Sequence, residues 1–354
     1  MRALLWLRAN LFNGVWNSIL TLGALYLILR GAWSVVDWGL VHAVWSAPDG
    51  RACRAASGDA GACWAFIGHW YRFILFGRFP YAEQWRPLLV ILLFTGLVLL
   101  SCDRRLWRRG RLLGAIWIFG LGLSLVLMLG GVAGLPRVST DLWNGLPLTL
   151  FLAVIGLAGA FPLAVLLALA RRSELPVLRA LAVGYIELVR GVPLITVLFM
   201  ASVMLPLFLP GGVNLANALR ALAGLMLFYA AYLAEVVRGG LQAIPRGQYE
   251  AADALGLSYW RAMRLIILPQ ALQIAIPPLV NTFISAFKDT TLVTIVGLFD
   301  LVATASSAIT DPQWRGFYWE AYLFIAAIYF VYCFFMSRYS RALEASLEQR
   351  RAVR

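Results

Sequence analysis

The chain contains a single lysine, Lys288, and only two histidines, His42 and His69, among its 354 residues. A Walker A loop needs a lysine that follows a glycine-rich turn and reaches the terminal phosphates, whereas Lys288 follows Phe287. The sequence also has no His-Glu-x-x-His, Cys-x-x-Cys or Gly-x-Ser-x-Gly pattern, the arrangements that hold a catalytic zinc ion or activate a nucleophile. We therefore expect no metal site, no cofactor or ATP bound by this chain, and no enzymatic activity of its own.

Charged residues are scarce too. They make up 13% of the chain, and hydrophobic residues make up 62%. Soluble domains contain roughly 25% charged and about 45–50% apolar residues. This composition is typical of a membrane protein with several spans.

Uncharged runs of about 20 residues, the length that a helix needs to cross the hydrocarbon core, recur along the chain. The run at 87–102 is short and needs its polar flanks, the run at 221–234 extends to about Arg238, and the run at 265–297 is interrupted by Lys288 and Asp289. We expect an all-α integral membrane protein with about eight transmembrane helices, at 9–29, 87–102, 112–136, 145–170, 191–219, 221–234, 265–297 and 321–337.

Arginines cluster in five basic patches, at 2–8, 103–111, 171–179, 238–264 and 338–354. Eight crossings place all five on one side of the membrane, and an excess of Lys and Arg marks the cytoplasmic side. We therefore predict that both termini are cytoplasmic. The net charge of +13 does not indicate nucleic-acid binding, because the cations flank apolar spans, where they set topology and contact anionic lipid.

Two of the four cysteines, Cys53 and Cys63, lie ten residues apart in the long segment of about 37–86, which these crossings place on the outer side. In an oxidising compartment they could form a disulfide, and the sequence leaves bonded and free thiols equally open. Cys102 and Cys333 fall at or in predicted membrane helices, where cysteine usually serves as a packing residue.

A polar stretch at 240–270 separates two of the apolar runs. Pro245 can open a helix that runs from Arg246 to Leu255, and Gly256 suits the left-handed residue that commonly ends a helix. Ser258 is then placed to cap a second helix, which we expect to run over 259–267. Helix, glycine corner and helix form an elbow, and such short helices are marginal in water without a partner.

The spacing of Glu250-Ala251-Ala252, Gly256 and Ile266-x-Leu268-Pro269 resembles the EAA loop of ABC importer permeases at every spaced position. The flanking segments 235–248, 187–194 and 288–292 are similar to segments of the polar amino-acid (histidine/glutamine-type) permeases. The resemblance covers about residues 144–346. The preceding part, with three predicted helices and a long loop, resembles the larger permease of general L-amino-acid importers.

This resemblance implies a type I ABC importer permease core at 144–346, with the coupling loop at 240–270, and an N-terminal three-helix extension at 1–140 whose loop at about 37–86 is periplasmic. It implies a function in ATP-driven import of amino acids, over a broad range of polar L-amino acids, across the bacterial inner membrane. In the family the elbow docks in a groove of a cytosolic ATPase, so the implied coupling residues are Glu250, Ala251, Ala252, Gly256 and Leu257.

The implied partners are a second permease that is a related shorter chain, two copies of the ATPase with their ATP and magnesium, and a periplasmic amino-acid-binding protein. Membrane lipid surrounds the spans, and no nucleic acid is expected. Trp64, Trp70 and Tyr71 in the outer loop are either a contact for the binding protein or an interfacial aromatic belt.

Charges inside the spans are costly unless they are paired or hydrated. Glu187 and Arg190, like Glu235 and Arg238, stand three residues apart, so each pair can meet on one helix face. Local neutralisation explains both pairs. We interpret Glu235 and Arg238 as a structural ion pair, and we keep Glu187 and Arg190 also as candidates for the substrate path.

Lys288 and Asp289 are adjacent and point in different directions, so each needs a partner on another helix. We predict that they face the substrate path or its gate, where an amino acid offers both a carboxylate and an ammonium group. Neighbouring hydroxyls could donate hydrogen bonds there, namely those of Thr290, Thr291 and Thr294.

Two functions from other classes remain as alternatives. A secondary transporter or channel for small polar solutes would favour inverted repeats with ionisable residues at the membrane midplane, and we find no convincing internal repeat. A membrane scaffold built on the N-terminal helices would work without the residues after about 144.

Overall fold

A computed structural model describes residues 2–58, 61–107, 109–132, 134–208, 210 and 215–352, without the side chains of 2–4, 104, 107 and 346–352. Arg108 and residues 353–354, which belong to two of the predicted basic patches, lie outside the described residues. Within the described ranges the chain forms helices and no β-strand.

The α-helices are joined by short 3₁₀ and π turns. In chain order they are α1 (Arg2–Asn10), α2 (Val15–Val36), α3 (Gly50–Ser57), α4 (Trp64–Phe76), α5 (Trp85–Ser101), α6 (Arg104–Trp107), α7 (Gly110–Leu129), α8 (Gly145–Arg171), α9 (Pro176–Gly191), α10 (Leu194–Val203), α11 (Asn217–Gln242), α12 (Arg246–Ala254), α13 (Tyr259–Ala262), α14 (Leu268–Asp289), α15 (Leu301–Ile309) and α16 (Tyr318–Ala352).

Seven stretches of the described chain are long and apolar enough to cross a membrane, and α9 with α10 makes eight if that bent pair counts as one span. The seven are Val15–Val41, Tyr81–Ser101, Gly110–Leu129, Gly145–Arg171, Asn217–Gln242, Tyr259–Val296 and Tyr318–Ala345. The predicted fold class, an all-α membrane protein with about eight spans, is confirmed.

One predicted span is wrong in its details. The run at 191–219 is not a single helix, because α10 ends at Val203, a 3₁₀ turn follows over Leu205–Phe208, and α11 begins at Asn217. At the start of the run the chain bends by 105° between α9 and α10. Val192 is extended (φ −108°, ψ 137°) and Pro193 caps α10, as expected from the steric clash that a proline imposes on the residue before it. The end of the run belongs to α11, which runs from Asn217 to Gln242, whereas the prediction was 221–234 extended to about Arg238.

Several other span boundaries also differ from the prediction, and glycines account for two of them. The first span starts at Val15 rather than at residue 9, because Gly14 is extended and separates α1 from α2. The third ends at Leu129 rather than 136, where Gly130 adopts φ +65°.

The chain divides into two compact units, which we call the N-terminal unit (Met1–Tyr71 and Ala308–Phe324) and the core unit (Arg72–Ser307 and Ile325–Arg354). This packing division assigns α5 and α7 to the core unit. The predicted division at 1–140 and 144–346 follows sequence resemblance and stays a prediction.

In the core unit, α11 packs along α8 and against α14. The buried faces are rich in small side chains, which let membrane helices approach closely. Gly240 of α11 faces the carbonyl oxygen of Ala271 in α14, where an added Cβ would collide with it. Buried alanines continue these contacts, at Ala160, Ala164, Ala168, Ala230, Ala231 and Ala234.

In the N-terminal unit, a disulfide joins Cys53 and Cys63, whose Cα atoms are 6.1 Å apart. The side chain of Glu320 is buried and accepts a hydrogen bond of 2.8 Å from the Cys63 N–H. Trp314 is 1% exposed and stacks on His69, with ring centroids 5.4 Å apart. The segments around residues 50 and 314 therefore share one small core.

Candidate functional site

The elbow, residues 246–267, begins with α12, whose N-cap is Pro245. Gly256 has φ +66°, the left-handed conformation that the sequence predicted and that favours glycine. Around it the Gly256 N–H donates to Asp253 O at 2.9 Å, and the Leu257 N–H donates to Ala252 O at 3.1 Å. These bonds satisfy the end of α12 and fix the corner.

The second limb of the elbow differs from the prediction. Ser258 precedes α13, but its side chain makes no capping hydrogen bond. After α13 a π turn over Met263–Ile267 leads directly into α14. Pro269 does not break the helix because it lies in the first turn of α14, where proline is tolerated. The second limb is therefore the beginning of a membrane span.

The predicted coupling residues are not equally accessible. Glu250, Ala251 and Gly256 are exposed, and Leu257 is half-buried. Ala252 is only 1% exposed, so its small side chain packs within this chain. The coupling role of all five residues stays a prediction.

Sequence reasoning missed the apolar side chains that the elbow exposes. Leu255 is 74% exposed and Trp260 is 67% exposed, with Tyr259 between them at 51%. Large apolar residues on both sides of a glycine corner are the signal that could have identified this surface. We call these three residues the apolar rim.

Two hydrogen bonds tie the elbow to neighbouring helices. Arg172, just beyond α8, donates through Nη1 to the Tyr249 hydroxyl at 3.1 Å. Gln270 of α14 donates through Nε2 to Gln248 Oε1 at 3.0 Å. Both Gln248 and Tyr249 lie on α12, directly before Glu250.

The two glutamates and the arginines of the spans meet in one network, which we call the Glu235 cluster. It comprises Arg171, Glu187, Arg190, Glu235 and Arg238. Glu235 lies 2.8 Å from Arg171, 2.8 Å from Arg238 and 3.7 Å from Arg190. Its side chain is 15% exposed, so three cations surround a largely desolvated carboxylate.

The structure separates the two pairs that their spacing suggested. Arg238 contacts Glu235 through both Nε and Nη2, so that pair is present. Glu187 instead lies 3.0 Å from Arg171 of α8, and Arg190 reaches Glu235 of α11. The expected contact between Glu187 and Arg190 is replaced by contacts to other helices, because helix packing offers each residue a partner that sequence spacing does not reveal.

Asp289 ends α14, and its Oδ2 accepts a hydrogen bond of 2.6 Å from the Tyr229 hydroxyl of α11. Tyr229 is a further residue that sequence reasoning did not single out. Lys288 is exposed and Asp289 half-buried, so the adjacent charges have different surroundings.

The threonines that follow differ as well. Thr290 is fully buried and donates to Phe287 O at 2.8 Å, whereas Thr291 is half-buried. Thr294 donates to the buried carboxylate of Asp300 at 3.5 Å. Among the residues described, no three His, Cys, Asp or Glu side chains form a group that could hold a metal ion.

Comparison with known proteins identifies the family to which the chain is related. Residues 160–349 match the family of binding-protein-dependent transport system inner membrane components. The inner membrane amino-acid ABC transporter permease protein YhdY of Escherichia coli is 48% identical, over 97% of this chain and 92% of that protein. The glutamate/glutamine/aspartate/asparagine transport system permease protein BztC of Rhodobacter capsulatus is 41% identical, over 98% of this chain and 94% of that protein.

A chain in the crystal structure of an amino acid ABC transporter with histidines has 35% sequence identity to this chain. The alignment covers 58% of this chain and 92% of that chain, with a TM-score of 0.49. The family match and the two relatives confirm the resemblance to ABC importer permeases that the elbow motif indicated. They also favour the importer over the secondary transporter or channel. The chain belongs to the family of binding-protein-dependent transport system inner membrane components.

Proposed function

We propose that this chain is the permease subunit of an ATP-driven importer that carries polar L-amino acids across the bacterial inner membrane. The two relatives that match nearly its whole length support this substrate class, since one is named for amino acids and the other for glutamate, glutamine, aspartate and asparagine. ATP and magnesium then bind to a separate cytosolic ATPase, present in two copies.

The observation that carries the proposal is the exposed elbow. Its apolar rim combines Leu255, Tyr259 and Trp260, with the exposed carboxylate of Glu250 nearby in sequence. Tyr259 and Trp260 are in ring contact, and contiguous exposed apolar patches mark sites of interaction with proteins or with the membrane. The ATPase groove is the partner that we assign to this surface.

The elbow also has a mechanical connection to the predicted substrate path. Its second limb continues into α14, a helix of 22 residues that ends at Asp289. At 1.5 Å per residue such a helix is about 33 Å long, enough to cross the hydrocarbon core. In our proposal a displacement of the elbow therefore moves Lys288 and Asp289 through one continuous helix.

The path residues offer complementary chemistry to an amino acid. The Lys288 ammonium suits a substrate carboxylate, and the Asp289 carboxylate, held by Tyr229 at 2.6 Å, suits a substrate ammonium group. Thr290, Thr291 and Thr294 belong to the same predicted path. In our proposal both termini and the elbow are cytoplasmic, a related shorter permease completes the path, and a periplasmic binding protein delivers the substrate.

The test is uptake by liposomes that contain this chain with its partner permease and ATPase, and with the binding protein supplied to the side on which it delivers substrate. In the Gly256→Pro variant residue 256 cannot adopt φ +66°, because the proline ring holds φ near −65°. A proline in an unsuitable backbone position costs about 3 kcal/mol. We expect ATP hydrolysis to continue while uptake falls by about tenfold or more.

Gly247→Ala is the matched control, since Gly247 has no atom within 4 Å of an added Cβ and alanine favours the helix. Its uptake should equal that of the wild type. Coupled transport that survives Gly256→Pro unchanged would overturn the assignment of the elbow. Uptake that needs an ion gradient instead of ATP would overturn the proposed function.

A further inference from the structure

Two consecutive arginines at the end of α8 contact different parts of the core unit. Arg172 donates to the Tyr249 hydroxyl at 3.1 Å, and its guanidinium carbon lies 5.6 Å from the centroid of the Tyr249 ring. Arg171 lies 3.0 Å from Glu187 and 2.8 Å from Glu235. One helix end thus contacts the elbow and the Glu235 cluster at the same time.

We propose that Arg171 and Arg172 link the elbow to the Glu235 cluster, so that the position of the elbow determines whether the cluster holds α8, α9 and α11 together. The inference rests on the proposed function, because it requires an elbow that moves with an ATPase. It assigns Arg171, Arg172 and Tyr249 a positioning role.

The cluster can open without leaving the Glu235 carboxylate unpaired. Arg238 lies 2.8 Å from Glu235, three residues along the same helix α11, so separation of the helices does not part this pair. Arg171 comes from α8 and Arg190 from α9, so their contacts break if those helices separate from α11. Because Arg238 keeps the carboxylate paired, an open state avoids the full penalty of an isolated buried charge.

The connection between the two contacts is short. Arg171 is the last residue of α8 and Arg172 follows it directly, so a pull on one side chain displaces the backbone of the other. Tyr249 also donates to Leu241 O of α11 at 3.4 Å. Coupling of this kind passes through rigid elements and hydrogen-bond networks that have two discrete arrangements.

A merely structural contact predicts something different. Arg172 is exposed, and exposed polar contacts contribute little to stability. If the hydrogen bond between Arg172 and Tyr249 only stabilised the fold, its removal would leave the amount of substrate imported per ATP unchanged. If it transmits motion, its removal lowers the amount of substrate moved per ATP while the importer stays assembled.

The experiment uses the complete importer in liposomes and measures amino acid imported per ATP hydrolysed. Tyr249→Phe removes the hydroxyl and keeps the ring, and Arg172→Gln removes the cation. We expect both variants to hydrolyse ATP and to bind the ATPase as the wild type does, with import per ATP lowered about three- to tenfold. Arg171→Gln added to Arg172→Gln should lower it no further, because the two residues act in series.

Arg179→Gln is the control, since Arg179 is an exposed arginine of the same basic patch and takes no part in the described contacts of Tyr249 or the Glu235 cluster. Wild-type import per ATP in both Tyr249→Phe and Arg172→Gln would overturn the link and leave the proposed function standing. Losses that add in the double variant, or loss of ATPase binding alone, would also overturn it. An assembled wild type without ATP-dependent uptake would overturn the proposed function itself.

Discussion

The N-terminal unit and the elbow place their tryptophans in opposite ways. Trp314 of the N-terminal unit is 1% exposed and lies between His69 and Phe66, with ring centroids 5.4 and 6.1 Å away. Trp260 of the elbow is 67% exposed beside Tyr259. One region covers its own apolar surface, and the other leaves that surface exposed, as the proposed ATPase contact requires.

The two regions are also held in different ways. The N-terminal unit has a disulfide, and Arg54 binds across the unit to Arg315 O with its guanidinium 5.2 Å from the Phe317 ring centroid. The elbow is tied by hydrogen bonds of Arg172 and Gln270, both at the protein surface. If the elbow responds to the ATPase as we propose, it needs contacts that exchange easily, since moving elements come from the least stable parts of a fold.

The tryptophans provide the largest expected difference. Trp314→Ala should lower the free energy of opening of the N-terminal unit by about 3–5 kcal/mol, the usual cost of removing a buried aromatic side chain. Trp260→Ala should change the stability of the elbow by less than about 0.5 kcal/mol. Hydrogen exchange of the amides in α3 and in α12 measures both values.

In the elbow the effect should appear in binding instead. We expect Trp260→Ala to weaken ATPase binding by about tenfold or more, as for an aromatic anchor of an interface. Trp16 of α2, which is 79% exposed, provides a control substitution that should leave ATPase binding unchanged. Equal destabilisation by Trp314→Ala and Trp260→Ala would contradict the comparison.

The disulfide should rank next. Replacing Cys53 and Cys63 together by serine should destabilise the N-terminal unit by about 2–4 kcal/mol, because the bond restricts the unfolded chain. Hydrogen exchange should show the loss in α3 and none in α12. The free cysteines Cys102 and Cys333 are the control, and a double serine variant that exchanged faster in the elbow would contradict the separation of the two regions.

Local rules predicted the corner of the elbow. Pro245 and Gly256 act through their own backbone preferences, and both adopt the expected positions. The presence of several membrane-spanning helices could be predicted from the hydrophobic composition alone. Other prolines have no uniform effect, because Pro193 lies at a sharp bend whereas Pro277 and Pro278 lie inside α14. Whether a membrane helix tolerates proline depends on which neighbours satisfy the freed backbone groups.

Partners that are distant in sequence could not be predicted. The spacing of Glu187 and Arg190 favoured a contact within one helix, but Arg171 of α8 lies closer to Glu187. Trp314 and His69 stack on each other in the N-terminal unit, although they lie 245 positions apart in the sequence (314 − 69). Such contacts depend on packing, and a single sequence holds no periodic signal for them.

The helix N-caps should give the smallest difference in stability between the N-terminal unit and the elbow. Asp49 caps α3 of the N-terminal unit and accepts a hydrogen bond of 2.7 Å from the Ala52 N–H. Ser258 occupies the same position before α13 of the elbow without such a bond. Asp49→Ala should therefore cost about 1 kcal/mol, and Ser258→Ala should stay within about 0.5 kcal/mol of the wild type.

Hydrogen exchange at the first amides of α3 and α13 measures the two caps in one experiment. Asp49→Asn keeps a side-chain acceptor and should restore most of the stability that Asp49→Ala loses. A cost of about 1 kcal/mol for Ser258→Ala would show that the serine bonds to the backbone in solution. The elbow would then hold its second limb by its own contacts, as the N-terminal unit does, and would depend less on a partner than its exposed rim suggests.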